Sequence, residues 1–176
     1  VYKRQVYTYS FEKAVTIREK LHVEQNLVIG HVGRFDAQKN HTFLLDIFSE
    51  CVNIVPNARL LLVGDGEGRT QIQEKAKSLG LEEKVIFTGV RNDVADLLQA
   101  MDVFVFPSLY EGVPVTMIEA QASGLPCVIS DGVPKDCVIT SGLVTSMKLS
   151  DRPCDWAKHI AAQLNRKREN HLEEIQ

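Results

Sequence analysis

Two carboxylates, Glu111 and Glu119, have the types and spacing in this sequence that most directly suggest chemistry. Glu111 precedes Pro114 in a predicted loop. Glu119 falls in the second turn of a predicted helix that otherwise contains apolar and small polar residues. A carboxylate is costly to bury in such a helix without hydroxyl or cationic partners, so a ligand with hydroxyl groups is one explanation. The other explanation is that Glu119 points to solvent, and the spacing leaves both open.

Two cations, Arg34 and Lys39, lie five positions apart in the segment GRFDAQKN, between a predicted strand and a predicted helix. Cations beside the free amide groups of a helix N-terminus make a binding site for a diphosphate. An ordinary polar loop with two solvated charges explains the segment equally well.

Three glycines, Gly64, Gly66 and Gly68, follow the next predicted strand in the segment GDGEGR. Glycine permits positive φ angles and the close approach of another backbone. A dinucleotide-binding fingerprint would instead follow the first strand, with an acidic residue about 20 positions later, and the sequence has neither arrangement. We therefore predict a tight turn that also forms one wall of a ligand site.

Arg91 and the histidines are the remaining candidates for chemistry. Arg91 lies in the segment TGVRND and could stack on a base, although the sequence alone slightly favours a surface charge. His31 lies in a predicted strand, His41 begins a predicted helix, and no histidine has the spacing of a metal ligand. The sequence therefore predicts no metal site, and it lacks the nucleophile motifs of hydrolases.

Short β-branched runs alternate with longer amphipathic segments, which is the pattern of a parallel sheet covered by helices on both faces. Helix patterns cover about 41–54, 69–79, 93–100, 113–123 and 153–169. The predicted fold class is α/β, a Rossmann-like three-layer α/β/α sandwich with a doubly wound parallel sheet. We predict five strands and a weak edge strand, at Leu27–Val32, Ala58–Val63, Lys84–Thr88, Val103–Phe106, Pro126–Ser130 and, for the edge, near Leu143–Thr145.

Residues at the predicted helix ends agree with these boundaries. Asn40 and Asp93 are predicted N-caps, and Pro114 fits the first turn of its helix. Gly80 and Gly124 are predicted C-terminal stops.

Composition indicates a soluble globular domain and excludes several classes of partner. The 176 residues suit one domain, with 44% hydrophobic and 24% charged residues. A net charge of −3 gives no broad positive field for nucleic acid, and the basic cluster at residues 166–168 is predicted to be a solvated helix end. The four cysteines lack C-x-x-C pairing, which favours reduced thiols and a cytoplasmic location. No apolar run approaches the roughly 20 residues of a membrane span.

Four segments in this order and spacing, VGRFDAQKN, LLVGDGEG, FTGVRND and EGVPVTMIEAQASGLP, resemble the C-terminal domain of family-four retaining glycosyltransferases of the GT-B fold. The most specific part is the pair of glutamates eight positions apart, followed by A-x-A-x-G-x-P. The chain is also similar to bacterial members that build capsular or exopolysaccharide chains. The resemblance implies a domain that binds a nucleotide diphosphate sugar, with UDP the expected nucleotide, for retaining transfer of a hexosyl group.

The resemblance also implies roles for individual residues. Arg34 and Lys39 would hold the donor diphosphate, Glu119 would accept hydrogen bonds from ribose hydroxyls, and Glu111 would contact sugar hydroxyls beside the reacting carbon. No metal or other cofactor is expected, because cations and helix amides would neutralise the departing diphosphate. The other donor-binding residues implied are Gly33, Gly64 and Gly66 in the first two loops, Val90 and Arg91 beside the base, and the amides of Gly112 and Val113 facing phosphate or sugar.

A helix pattern at Phe11–Leu21 precedes the first predicted strand, so residues 1–26 are predicted to be a linker with a leading helix. Residues 27–176 then form the nucleotide-sugar-binding domain that the resemblance implies. The resemblance implies that an N-terminal acceptor domain is absent and that the last helix is cut short, so the isolated chain is expected to transfer no sugar. A saccharide or lipid-linked acceptor is expected to bind through the absent domain, and the full-length protein is expected to contact the inner membrane face peripherally.

One departure from the family is Asn40, which stands where members often have glycine after the lysine. Because asparagine caps a helix well, this difference should matter little. Two alternative functions stay open, a sugar-nucleotide epimerase on the same fold and a non-catalytic doubly wound interaction module.

Overall fold

The computed structural model describes residues 7–168, whose core is a six-stranded sheet. Every pair of neighbouring strands is parallel, and the order across the sheet is β3-β2-β1-β4-β5-β6. This doubly wound arrangement confirms the predicted fold class. The strands are β1 Leu27–Val32, β2 Ala58–Val63, β3 Val85–Phe87, β4 Val103–Phe106, β5 Cys127–Ser130 and β6 Val144–Met147.

The strand boundaries follow the sequence closely. β1, β2 and β4 have the predicted bounds, whereas β3 is one residue shorter at each end. Its start is displaced because Glu82–Lys84 forms a single turn of 3₁₀ helix before it. β5 begins after Pro126, whose nitrogen has no hydrogen to donate to a neighbouring strand. The predicted edge strand exists as β6, and it pairs with β5 along its whole length.

Six helices cover the two faces of the sheet within the described residues. The side chains of β2 show how one strand serves both faces: Leu60 and Leu62 belong to one buried cluster, and Leu61 and Val63 to the other. The first cluster is covered by α2, α3 and α6, and the second by α1, α4 and α5. The helices are α1 Phe11–Leu21, α2 His41–Ile54, α3 Arg69–Ser78, α4 Val94–Ala100, α5 Val115–Ala122 and α6 Pro153–Gln163.

The last helix is shorter than predicted. It ends at Gln163 rather than at residue 169, which itself lies outside the described residues. The prediction of a solvated basic helix end is wrong for Arg168, because its side chain turns back over the domain. Its guanidinium donates to the carbonyl oxygens of Leu98 at 2.9 Å and Ser123 at 2.6 Å, near the ends of α4 and α5. Burial lowers the pKa of Arg168 to about 10, so it stays a cation at neutral pH.

The predicted N-caps occupy cap positions, but neither side chain makes the capping bond. Asn40 has a left-handed backbone, with φ of 57°, and its side chain donates to Pro107 O at 3.1 Å. The carboxylate of Asp93 instead accepts from Arg91. Conformation and cross-loop bonding, rather than capping, therefore account for Asn40.

The other helix-end residues differ in outcome. Pro114 is the N-cap residue itself, so α5 begins at Val115 rather than at residue 113. Gly80 and Gly124 have φ angles of 69° and 65°, as expected of glycines that stop helices.

The leading helix α1 packs on the domain through a half-buried network around Arg18. This side chain donates to Ala100 O at 2.8 Å and pairs with Asp102 at 3.2 Å. Asp102 also accepts from Val28 N at 2.7 Å, which ties α1 to the start of β1. The domain boundary at residue 26 stays a prediction.

The four cysteines are free thiols, as predicted, and burial raises the pKa of Cys51 to about 12. Within residues 7–168, no helix is both long enough and apolar enough to cross a membrane.

Candidate functional site

The topology places a crevice at the carboxyl ends of β1 and β4. From β1 the chain moves outward to β2 and β3, whereas β4 lies on the other side of β1 and leads to β5 and β6. The chain therefore leaves β1 and β4 toward opposite faces of the sheet, and ligands of open α/β sheets bind at such a switch point. The loops after these two strands contain most of the candidate residues that the sequence indicates.

The loops after β1 and β4 are joined by hydrogen bonds across the crevice. Leu109 N donates to Gln38 O at 2.8 Å, and the Gln38 side chain donates to Tyr110 O at 3.0 Å. Asn40 adds its bond to Pro107 O. Three hydrogen bonds thus hold together the two loops that form the floor of the crevice.

Lys39 and Glu111 form an ion pair at the centre of this loop pair. Lys39 Nζ lies 2.6 Å from Glu111 Oε1 and 5.0 Å from the centre of the Phe106 ring. The two side chains are only 18% and 5% exposed. Because the sequence places them 72 positions apart, the fold alone brings this cation and this carboxylate together. The pair gives the crevice a donor and an acceptor side by side.

The glycines after β2 fit against the loop after β1. A Cβ at Gly64 would lie 2.1 Å from Gly33 O, and one at Gly66 would lie 2.6 Å from Phe35 O. Phe35 N also donates to Asp65 O at 3.1 Å. Gly64 and Gly66 are therefore required by backbone contact between two loops. This contact makes the turn predicted from the sequence, while the ligand-wall role stays a prediction.

The loop after β5 supports the Glu111 backbone from the other side. Glu111 N donates to Gly132 O at 3.1 Å, and a Cβ at Gly132 would lie 2.3 Å from Leu109 O. Gly112 and Val113, which follow, are exposed. They precede α5 rather than belonging to its first turn, and they leave an open backbone segment above the crevice.

Arg34 contacts a different environment from Lys39. It is exposed and lines a cavity of about 630 Å³ at the starts of α2 and α3, together with Thr42 and Gln71. Lys39 instead lies against Glu111. Arg34 and Lys39, the two residues predicted to bind the diphosphate, thus lie on one loop but have different neighbours.

Glu119 has a hydroxyl partner from the protein itself. The hydroxyl of Tyr7 donates to Glu119 Oε1 at 2.5 Å, and both residues are half-buried. Burial, followed by the bond to Glu119 and its negative charge, raises the pKa of Tyr7 to about 12. A side chain that points only to solvent does not describe Glu119, although the ribose role stays a prediction.

Val90 and Arg91 form an exposed flank beyond β3. Val90 is 81% exposed, and the Arg91 guanidinium makes two bonds to the Asp93 carboxylate, of 2.7 and 2.6 Å. This neighbouring pair raises the pKa of Arg91 and lowers that of Asp93, through their hydrogen bonds first. The plane of Arg91 is therefore held by its own loop, in agreement with a surface charge and compatible with a base beside it.

Two histidines that the sequence left without a role meet beneath the β1 loop. His31 and His41 are buried with ring centroids 4.7 Å apart, and His41 also stacks on Phe35 at 4.1 Å. His31 Nε2 and both ring nitrogens of His41 have no partner within residues 7–168. Burial lowers their pKa values to about 4 and about 2, so both rings are neutral at pH 7.

Sequence reasoning missed three contributors to the site: Tyr7, Gln38 and the buried histidine pair. Tyr7 lies 112 positions from Glu119, and no spacing rule connects them. Gln38 adjoins Lys39 and was recognisable only as a polar loop residue. His31 and His41 lie on either side of one βα loop, and this geometry brings the end of a strand close to the start of the next helix. Of these residues, only the histidine pair could therefore have been found from the sequence.

Comparison with known proteins gives a consistent result. Residues 26–166 match the family described as Glycosyl transferases group 1. Over 135 residues the chain is 44% identical to EpsF of Bacillus subtilis (strain 168), whose name describes a glycosyltransferase. Over 117 residues it is 34% identical to an Escherichia coli protein named UDP-Gal:alpha-D-GlcNAc-diphosphoundecaprenol alpha-1,3-galactosyltransferase. The matches cover 77% and 65% of this chain but 35% and 30% of those proteins, so the chain spans about a third of their length.

Solved structures agree with the fold. The crystal structure of Anabaena HepE in complex with UDP and glucose is similar with a TM-score of 0.81 at 25% identity. The same protein in complex with UDP-glucose gives a TM-score of 0.80 at 26% identity. Each similarity covers 92% of this chain and 45% of that chain.

Proposed function

Because this chain belongs to the group 1 glycosyltransferase family, we propose that it binds the nucleotide diphosphate sugar of a retaining glycosyltransferase, with UDP as the nucleotide. The relatives support this proposal through the names that they bear, which include UDP-galactose, and through HepE complexes with UDP and UDP-glucose. The family does not favour the epimerase or the non-catalytic interaction module.

The Lys39–Glu111 pair at the switch point is the observation that supports this function best. A donor sugar diphosphate presents anionic oxygens next to neutral hydroxyls. The Lys39 ammonium, 2.6 Å from the Glu111 carboxylate, can donate to the anionic oxygens, and the carboxylate can accept from the hydroxyls. The loops that carry the two side chains are joined by hydrogen bonds. When a diphosphate binds, the Lys39 ammonium would share its N–H donors between Glu111 and the phosphate. Glu111 would accept a hydrogen bond from a sugar hydroxyl.

The remaining residues extend this arrangement. Arg34, exposed on the same loop, would approach the diphosphate from the cavity side, and the open backbone at Gly112 and Val113 would offer amide donors. Glu119 would accept from the ribose, and Val90 and Arg91 would border the base. Positive charge placed at the departing diphosphate stabilises the charge that develops in the transition state. We propose that the reaction needs no metal.

For the full-length protein we propose transfer of a hexosyl group to a saccharide or lipid-linked acceptor in bacterial polysaccharide synthesis. The acceptor would bind to a further domain, so the isolated chain would not transfer sugar. We also propose a cytoplasmic location, with peripheral contact at the inner membrane face.

Titration calorimetry of the chain with UDP, GDP and ADP tests the proposal. We expect UDP to bind, and the double variant Arg34→Ala/Lys39→Ala to lose affinity, by about 1.5–3 kcal/mol for each charge-assisted contact. The control is Lys84→Ala, which removes a cation at the amino ends of the strands, opposite the proposed site. The Lys84 ammonium donates to Pro56 O there. Unchanged UDP affinity in a folded double variant, or equal losses in the control, would refute the assignment.

A further inference from the structure

The two oxygens of the Glu119 carboxylate have different environments. Oε1 accepts the 2.5 Å hydrogen bond from Tyr7, whereas Oε2 has no hydrogen-bond or ion-pair partner within residues 7–168. An ionised carboxylate offers about four acceptor sites, so one strong donor leaves most of its capacity unused. The contact therefore orients the Glu119 side chain and leaves acceptor sites of its carboxylate free.

Tyr7 is held in place by the docking of the leading segment. The carboxamide of Gln99, 2% exposed, accepts from Ser10 N at 2.9 Å and donates to Thr8 O at 3.4 Å. Ser10 then caps α1 by accepting from Lys13 N. One buried side chain thus fixes the backbone on both sides of residue 9, and the position of Tyr7 follows from this anchor.

The chemistry of the contact has a fixed direction. With a pKa of about 12, the Tyr7 hydroxyl keeps its proton at neutral pH and can only donate to the carboxylate. Hydrogen bonds from a hydroxyl to a charged oxygen are short and strong, in agreement with the distance. Glu119 keeps its charge and its remaining acceptor sites.

We propose that Tyr7 is a positioning residue for nucleotide binding: by holding Glu119 Oε1, it presents Oε2 to a ribose hydroxyl of the donor. Tyr7 itself does not touch the nucleotide. The inference rests on the proposed function, since it needs Glu119 to be the ribose acceptor. It assigns part of the donor affinity to the leading segment, 112 residues away from the carboxylate in sequence.

Calorimetric titration of UDP and of 2′,3′-dideoxy-UDP into four proteins and one control variant tests this inference. The proteins are the 176-residue chain, Tyr7→Phe, Glu119→Ala and the double variant, and Tyr9→Phe serves as the control with the same chemical change two positions along. We expect Tyr7→Phe to weaken UDP by roughly 3- to 10-fold, Tyr9→Phe to leave UDP unchanged, and Tyr7→Phe to add nothing once Glu119 is alanine. Dideoxy-UDP should bind the chain and Tyr7→Phe equally.

The contrary outcomes are distinct. Tighter UDP binding by Tyr7→Phe would mean that the tyrosine competes with the ribose, and unchanged binding would mean that it does not act on the site. Equal losses for UDP and dideoxy-UDP would indicate a general structural effect. Each of these results overturns the positioning role while leaving the proposed function intact. Absence of UDP binding to the unaltered chain would instead refute the proposed function, and this inference with it.

Discussion

The two glutamates that form one sequence motif are held by different parts of the molecule. Glu111 belongs to what we call the rim pair, Lys39 and Glu111, in which a cation from the β1 loop meets a nearly buried carboxylate. Glu119 belongs to the leading contact, Tyr7 and Glu119, in which a neutral hydroxyl from the leading segment meets a half-buried carboxylate. Eight positions of sequence thus separate two unlike electrostatic environments.

In the proposed roles, the two carboxylates of one motif serve two parts of the donor. In the rim pair the negative charge of Glu111 is compensated by Lys39, which lies 2.6 Å away. In the leading contact the charge is not compensated, because tyrosine donates a hydrogen bond without a positive charge. Glu119 is therefore ready to accept from neutral hydroxyls before any other group moves.

The largest effect expected from comparing the two regions comes from removing the two carboxylates separately. Glu119→Ala should weaken UDP and a matched UDP-sugar alike, by about 1.5–3 kcal/mol, because the lost hydroxyl contacts belong to the nucleotide. Glu111→Ala should spare UDP and weaken only the sugar conjugate, since its proposed partner is the sugar. Parallel calorimetric titrations of both ligands into both variants measure the two effects.

Thermal unfolding of each variant is the necessary control for that comparison. The two regions would cease to differ in function if Glu111→Ala lost UDP affinity as strongly as Glu119→Ala. Equal UDP affinity in Glu119→Ala and the unaltered chain would remove the ribose assignment, and a mildly stabilised Glu119→Ala would then indicate a purely helical role.

The sequence predicted the rim loops well because local rules determine them. β1, β2 and β4 were located to the residue, since their apolar runs are nearly continuous and glycine or proline follows each of them. That order and parallel pairing place Lys39 and Glu111 at one sheet edge, so their proximity was within reach of sequence reasoning. Their direct ion pair depends on side-chain packing beside Phe106, which the sequence does not predict.

The leading contact lay beyond sequence reasoning for a physical reason. Whether Tyr7 reaches Glu119 depends on where α1 packs, which Arg18 and Gln99 decide through bonds to residues over 80 positions away. The path of Arg168 was mispredicted for the same reason, because its carbonyl partners lie on α4 and α5 rather than near it in sequence. Long-range polar contacts leave no periodic signal.

A second, smaller effect is that the two regions contribute differently to the pH dependence of stability. His31 and His41 lie beneath the rim loop, and burial, with the Lys39 charge contributing, lowers their pKa values to about 4 and about 2. The unfolded chain therefore binds protons more readily, so stability is full above pH 6.5 and falls as the pH drops toward 4. His41→Phe, which keeps the ring stack, should remove about 1–2 kcal/mol of the loss between pH 7 and pH 5.

Urea unfolding at several pH values measures this difference, and Tyr7→Phe provides the matched comparison. The Tyr7 hydroxyl titrates only in alkali, because its pKa is raised to about 12, so Tyr7→Phe should leave the loss of stability between pH 7 and pH 5 unchanged. A pH dependence in His41→Phe equal to that of the unaltered chain would show that the buried imidazole is not the acid-sensitive group.

The smallest expected effect concerns Asn40, which joins the two rim loops beside Lys39. Its backbone is left-handed with φ of 57°, and its side chain donates to Pro107 O at 3.1 Å. Asn40→Gly keeps the favoured conformation and loses one hydrogen bond, so stability should change by less than about 0.5 kcal/mol. Asn40→Ala loses the same bond and adds left-handed strain, so it should be less stable than Asn40→Gly by about 1 kcal/mol. Glycine also replaces a capping asparagine better than alanine does, so Asn40→Ser is the variant that separates the two explanations, because serine keeps a capping oxygen but disfavours the left-handed conformation. We expect the urea midpoint of Asn40→Ser to fall below that of Asn40→Gly, and a serine variant as stable as the glycine variant or more stable would contradict the conformational explanation.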